Sequence, residues 1–189
     1  MWAVVGLGNP GRRYSASRHN VGFMFVKRMA RERDVKVKKR KFLSKTAEIE
    51  IDQERVILAL PQTFMNRSGE AVSALLQGTG LGPDKLVVVY DDIDLALGQI
   101  RVRKEGRPGT HKGMASIVDE IETNRFPRIR IGIGPSPEGA DLVDYVLAPF
   151  AHSERERLDQ CLDRAREALA LIIAGHIDQA MNSYNPLAP

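Results

Sequence analysis

The chain has 189 residues, 43% of them hydrophobic and 28% charged, a balance that supports one full core and excludes a disordered polyelectrolyte. Its formal charge of +4 favours polyanions only weakly. A lone cysteine, Cys161, rules out an intrachain disulfide, and no apolar run approaches the roughly 18 residues that a spanning helix needs, so a reducing, cytoplasmic setting is expected.

Residues 2–5 form a short apolar run that predicts a buried strand. Gly6, Gly8, Pro10 and Gly11 then force a sharp turn, because glycine supplies positive φ and proline removes a backbone donor. Asn9 lies in that turn. A helix is expected from about Arg18 to Arg33, with Val21, Phe25 and Met29 on its inner face and His19 in its first turn. The segment Val35 to Lys45 carries Lys36, Lys38, Lys39, Arg40, Lys41 and Lys45 with no acid among them; it suits a solvated charge run, with a phosphate-binding strip as the alternative.

Ala47–Ile51 and Val56–Leu60 predict a hairpin around Asp52 and Gln53. Phe64 and Met65 are expected as core plugs ahead of a helix bearing Ala71, Val72, Leu75 and Leu76. Asn66 is placed either to cap that helix or to face a cleft, and the local pattern favours the cap. The β-branched run Leu86–Tyr90 predicts a central strand, with Asp91, Asp92 and Asp94 where it leaves the sheet. Three carboxylates without further matching ligands do not predict a metal.

A further strand is expected at Gln99–Lys104, followed by the loop GRPGTHKG and a helix over Gly113–Glu122. Arg128–Gly134, RIRIGIG, returns as a strand. Ser153 and Glu156 have capping-box spacing at the start of a long helix that ends near Gly175, and a short helix is expected over Ile177–Tyr184. The alternation of strand and helix predicts a single α/β domain over residues 1–189, a twisted mixed β-sheet flanked by helices.

Gly6, Gly8 and Gly11 satisfy the dinucleotide-binding pattern, which would imply an oxidoreductase. The context is wrong, since no helix opens at Gly11 and the acids at Glu32 and Asp34 precede a basic segment instead of ending a second strand. Asn9, His19, Asn66, Asp91 and His111 make a better constellation. A histidine can take a proton from water at neutral pH, an aspartate on its other nitrogen fixes the tautomer, and amides can bind a carbonyl oxygen. No serine or cysteine stands out as a nucleophile, so direct attack by water is favoured.

The segments VGLGNPG, SRHNVG, TFMNRSG, YDDIDL and RIRIGIG resemble, in order and spacing, those of bacterial-type peptidyl-tRNA hydrolases over essentially the whole chain. The resemblance implies hydrolysis of the ester between a peptide and the terminal ribose of tRNA, in a monomer with no metal, cofactor, membrane or obligate protein partner. It implies His19 as general base, Asp91 as its orienting carboxylate, and Asn9 as the residue that tells a blocked α-amino group from a free one. Tyr14, Phe64 and Asn66 match positions for the peptidyl-tRNA end, Arg103 and Arg130 match contacts to tRNA phosphates, and His111 and Lys112 are expected among the substrate- and tRNA-binding residues. Two departures stand out: Lys112 replaces an asparagine usual in the family, and Ala96 stands where a proline often does. The first leaves open a noncatalytic RNA-binding relative.

Overall fold

The computed structural model describes residues 1–186. A seven-stranded mixed sheet has the order β2-β3-β4-β1-β5-β7-β6. The parallel centre consists of β4 (Glu54–Pro61), β1 (Trp2–Gly6), β5 (Leu86–Ala96) and β7 (Arg128–Gly134). Antiparallel strands complete both edges: β3 (Ser44–Ile51) and β2 (Lys39–Lys41) beyond β4, and β6 (Ile100–Arg103) beyond β7. Asp52 and Gln53 turn the β3–β4 hairpin with φ of 49° and 67°.

Alternation along the strands separates two cores. Val4, Val87, Val89, Ile129 and Ile131 face one side, under α1 (Val21–Arg31) and α5 (Arg155–Ile173), with α6 (Ile177–Tyr184) against α5. Ala3, Val5, Val88 and Tyr90 face the other, under α2 (Ser68–Thr79) and α3 (Lys112–Ile121). Because the helices that follow β1 and β4 cover opposite faces, a crevice opens at the carboxyl ends of the central strands, as in other open α/β sheets. Two glycines let the layers close: a Cβ on Gly6 would fall 2.1 Å from the Gly22 carbonyl oxygen, and one on Gly22 would fall 2.3 Å from that of Val89.

Several expectations change. His19 lies in a 3₁₀ turn, Arg18–Asn20, that precedes α1 instead of within the helix. Asp91, Asp92 and Asp94 lie inside β5, which runs on to Ala96. Met65 is buried, but Phe64 is 51% exposed. Asn66 sits in the 3₁₀ turn Met65–Arg67, and α2 begins without a side-chain cap. At the start of α5, Glu154 takes the expected place of Glu156: its carboxylate accepts the Ala151 N–H at 2.6 Å, two residues earlier. A short α4 (Leu142–Leu147) fills a stretch that the sequence left without an element. Burial pushes the Cys161 thiol up to about 12, and the group donates to the Gln99 carbonyl oxygen at 3.2 Å, a structural thiol. No helix among the described residues is long and apolar enough to cross a membrane.

Candidate active site

Asn9 follows β1 and Asp91 lies in the neighbouring β5, so both arrive at the carboxyl edge of the sheet. His19 comes to the same point from the turn ahead of α1. Its Nδ1 lies 2.9 and 2.8 Å from the two Asp91 carboxylate oxygens. The side chain remains 15% exposed, and it lines a cleft of about 730 Å³. With Nδ1–H donating to the carboxylate, Nε2 keeps its lone pair for the cleft.

His111 reaches Asp91 from the other helical layer, with Nε2 3.0 Å from Oδ1. Its Nδ1 accepts the Met114 N–H at 3.2 Å, capping α3. A nitrogen that accepts from a backbone amide is unprotonated, so in the neutral ring the proton is on Nε2 and points at Asp91. That arrangement bears on metal binding. Ligand-type atoms of His19, Asp91 and His111 lie within 4.8 Å of one another, but a ligating histidine donates from its second nitrogen, and His111 has an amide N–H facing it there. The contacts fit a hydrogen-bonded carboxylate better than a metal centre.

Burial alone would raise the Asp91 pKa. The charge and hydrogen bond of His111, and then the hydrogen bond and charge of His19, outweigh it and hold the carboxyl well below the usual carboxylate range. Asp91 therefore stays ionised although it is buried. The Tyr90 ring lies 4.9 Å from that of His111, edge to face, which fixes the ring from below.

Asn9 is held on three sides. Its N–H donates to Asn20 Oδ1 at 2.8 Å, its carbonyl accepts from Asn20 Nδ2 at 2.9 Å, and its Oδ1 accepts the Met65 N–H at 2.9 Å. Since a backbone N–H can only donate, the orientation of the Asn9 amide is fixed, and the group left for a ligand is its NH₂. Asn20, next to His19, was not singled out from the sequence. The RHN spacing carried the only available signal, but an amide that holds another residue's backbone has no pattern of its own.

Tyr14, Phe64, Asn66, His111, Lys112 and Arg130 also line the cleft, joined by Leu142, Val143, Val146 and Leu147 of α4. Arg130 pairs with buried Asp92, so its charge is partly spent within the protein. Arg103 stands apart. It lies at the end of β6 opposite Arg128, two residues along β7 from Arg130, and is not among the residues that line the cleft. The wall formed by α4 is tied to the His19 turn by Arg18. That guanidinium bonds the Pro149 carbonyl and both Glu154 oxygens, the latter at 3.0 and 2.8 Å, and lies 4.7 Å from the Tyr145 ring centre.

The fold and the site define a single-sheet α/β protein with a histidine–carboxylate pair facing a cleft at the ends of its parallel strands. The family model described as peptidyl-tRNA hydrolase matches residues 3–189. Peptidyl-tRNA hydrolases of Alkaliphilus metalliredigens and Chloroflexus aggregans are each 45% identical, over 185 and 188 residues, spanning 98% and 99% of this chain and 100% of both relatives. The crystal structure of peptidyl-tRNA hydrolase from Acinetobacter baumannii aligns with a TM-score of 0.90 and 34% identity over 99% of this chain and 97% of that one. The chain belongs to the peptidyl-tRNA hydrolase family. Gly6 and its neighbours accordingly serve close packing and the placement of Asn9, not a dinucleotide.

Proposed function

We propose that the protein hydrolyses the ester that joins a peptide to the 3′-terminal ribose of tRNA, with His19 as general base. The observation that carries this reading is the His19–Asp91 contact: it commits Nδ1 to donation and leaves Nε2 basic at the cleft. Water bonded to Nε2 gives up its proton as it attacks the ester carbonyl, and Asp91 stabilises the resulting imidazolium. His111 bonds the same carboxylate and so orients it.

Family membership supports the substrate, and the geometry supports a role for Asn9. Its amide NH₂ can donate to the carbonyl of a blocked α-amino group but opposes an ammonium, which is also a donor, so a free aminoacyl ester is disfavoured. Tyr14, Phe64, Asn66 and the α4 side chains supply surface for the peptidyl end. Arg103 of β6 and Arg130 of β7 share one face of the sheet, Arg130 within the cleft and Arg103 outside it, and suit tRNA phosphates, with Arg130 exchanging part of its Asp92 pairing for the substrate. A monomer acting in the cytoplasm without cofactor or protein partner is consistent with a site drawn from one chain.

The test is hydrolysis of N-blocked and free aminoacyl-tRNA side by side, by wild type and by His19→Ala. Hydrolysis of the blocked ester by wild type alone is expected. Equal turnover by the variant would end the assignment of His19, and no turnover by wild type would favour the noncatalytic relative.

A further inference from the structure

Of the six charged groups lining the cleft, three are held within the protein: Asp91 by two histidines, and Asp92 and Arg130 by each other. Asp94 is the one carboxylate there without an ion pair among the described residues. Arg107 and Lys112 differ: both are exposed, both line the cleft, and neither forms an ion pair among the described residues. Arg107 lies on the loop turned at Gly109 with φ of 62°, and Lys112 opens α3 where that loop ends, directly after the histidine that bonds Asp91. Two free cations therefore stand beside the reacting centre.

We infer that Arg107 and Lys112 form an anion subsite for the phosphate on the 5′ side of the esterified nucleotide. The inference rests on the hydrolase reading above. A 3′-ester held at His19 has this phosphate one ribose away, which suits cations carried on either side of His111. Chemistry favours it over a peptide carboxylate. The peptide varies from substrate to substrate, and Phe64, Leu142 and Val143, each more than half exposed at the cleft, offer it apolar surface. The phosphate is present in every substrate and merits fixed charges. Arginine can engage two of its oxygens at once, and lysine adds a point charge on a flexible stem. Lys112, which departs from the usual asparagine, thereby exchanges a carbonyl-type contact for a phosphate contact.

The experiment uses adenosine esterified at its 3′ oxygen with an N-acetyl amino acid, with and without a 5′-phosphate. For wild type, the phosphate should lower KM about tenfold, the effect of one charge-assisted contact, and the gap should shrink with added salt. In the Arg107→Gln/Lys112→Gln double variant, shown to be folded by circular dichroism, the ratio of the two KM values should fall to about one. A wild-type ratio near one, or a gap that survives in the variant, overturns the subsite. So does a variant that instead loses a preference for acidic over neutral N-acetyl amino acids. If neither ester is cleaved, the hydrolase reading fails separately. Titration calorimetry with the corresponding 3′-amide, again with and without the 5′-phosphate, then reads the subsite on its own, equal affinities counting against it.

Discussion

Truncating His19 to alanine removes the one ring nitrogen that faces the cleft while leaving both cores untouched. Its kcat on blocked aminoacyl-tRNA should fall by about 10²–10⁴, the range that a positioned base supplies, while the protein still melts cooperatively, since His111 continues to hold Asp91. Asp91 carries a second, independent readout. Its folded pKa lies below the unfolded value of about 3.9, so its stabilisation is complete above that pH and is lost as the pH falls toward the folded value. Urea titrations at a series of acid pH values should show wild type losing this component and Asp91→Asn lacking it. Asn9→Asp keeps an acceptor for the Met65 N–H but replaces the NH₂ by a charge. Blocked substrate should bind about tenfold more weakly and discrimination against free aminoacyl-tRNA should shrink, as judged by the two KM values. At this scale the motifs pointed to His19, Asp91 and Asn9, which the fold brings to one cleft. They could not expose that His111 caps α3 with one nitrogen and bonds Asp91 with the other, because both partners are set by tertiary placement.

The elements were legible where periodicity persists over several residues and obscure where a partner imposes the conformation. The arginines of RIRIGIG and IRVR alternate with isoleucine and valine, and that period places the apolar set under α5 and the basic set on the opposite face. Lys39–Lys41 has no strand propensity, yet it becomes β2 by pairing with β3, and its charge suits a sheet edge. Six residues of α4 are too few for a helical stripe to emerge, so the cleft wall went unseen; Asp141, which caps it by accepting from Val143 and Asp144 at 2.8 and 3.0 Å, was the one local clue. Since Arg18 fastens this wall to the His19 turn, Glu154→Gln should cost about 1–3 kcal/mol of stability by weakening the partner of a largely buried guanidinium. Chemical denaturation measures that cost, and a rise in KM exceeding the fall in kcat would place the disturbance in the wall.

For the molecule as a whole, the alternation of elements announced an α/β sheet, but the order of strands and the side of β1 on which the chain returns depend on pairings distant in sequence. The edge formed by β6 and β7 carries Arg101, Arg103, Arg128 and Arg130 on one face. Arg128 is consumed by the carbonyls of Gly106 and Asn124 at 2.7 and 2.6 Å and Arg130 is paired with Asp92, which leaves Arg101 and Arg103 for a polyanion. Arg103→Ala should weaken tRNA binding and reduce its logarithmic salt slope by about 0.7–0.9 for each phosphate that is no longer neutralised. Filter binding over a range of salt concentrations distinguishes this from a folding defect, which would leave the slope of the surviving native fraction unchanged.

His19 sits just ahead of α1 and His111 caps α3, helices packed on opposite faces of the sheet, and one carboxylate at its rim receives both. Asp91 is thus a keystone between two layers, and the site doubles as a gauge of their alignment. A core substitution on either side that tilts α1 or α3 should register first as lost turnover, while the cooperative melting of the protein is still intact.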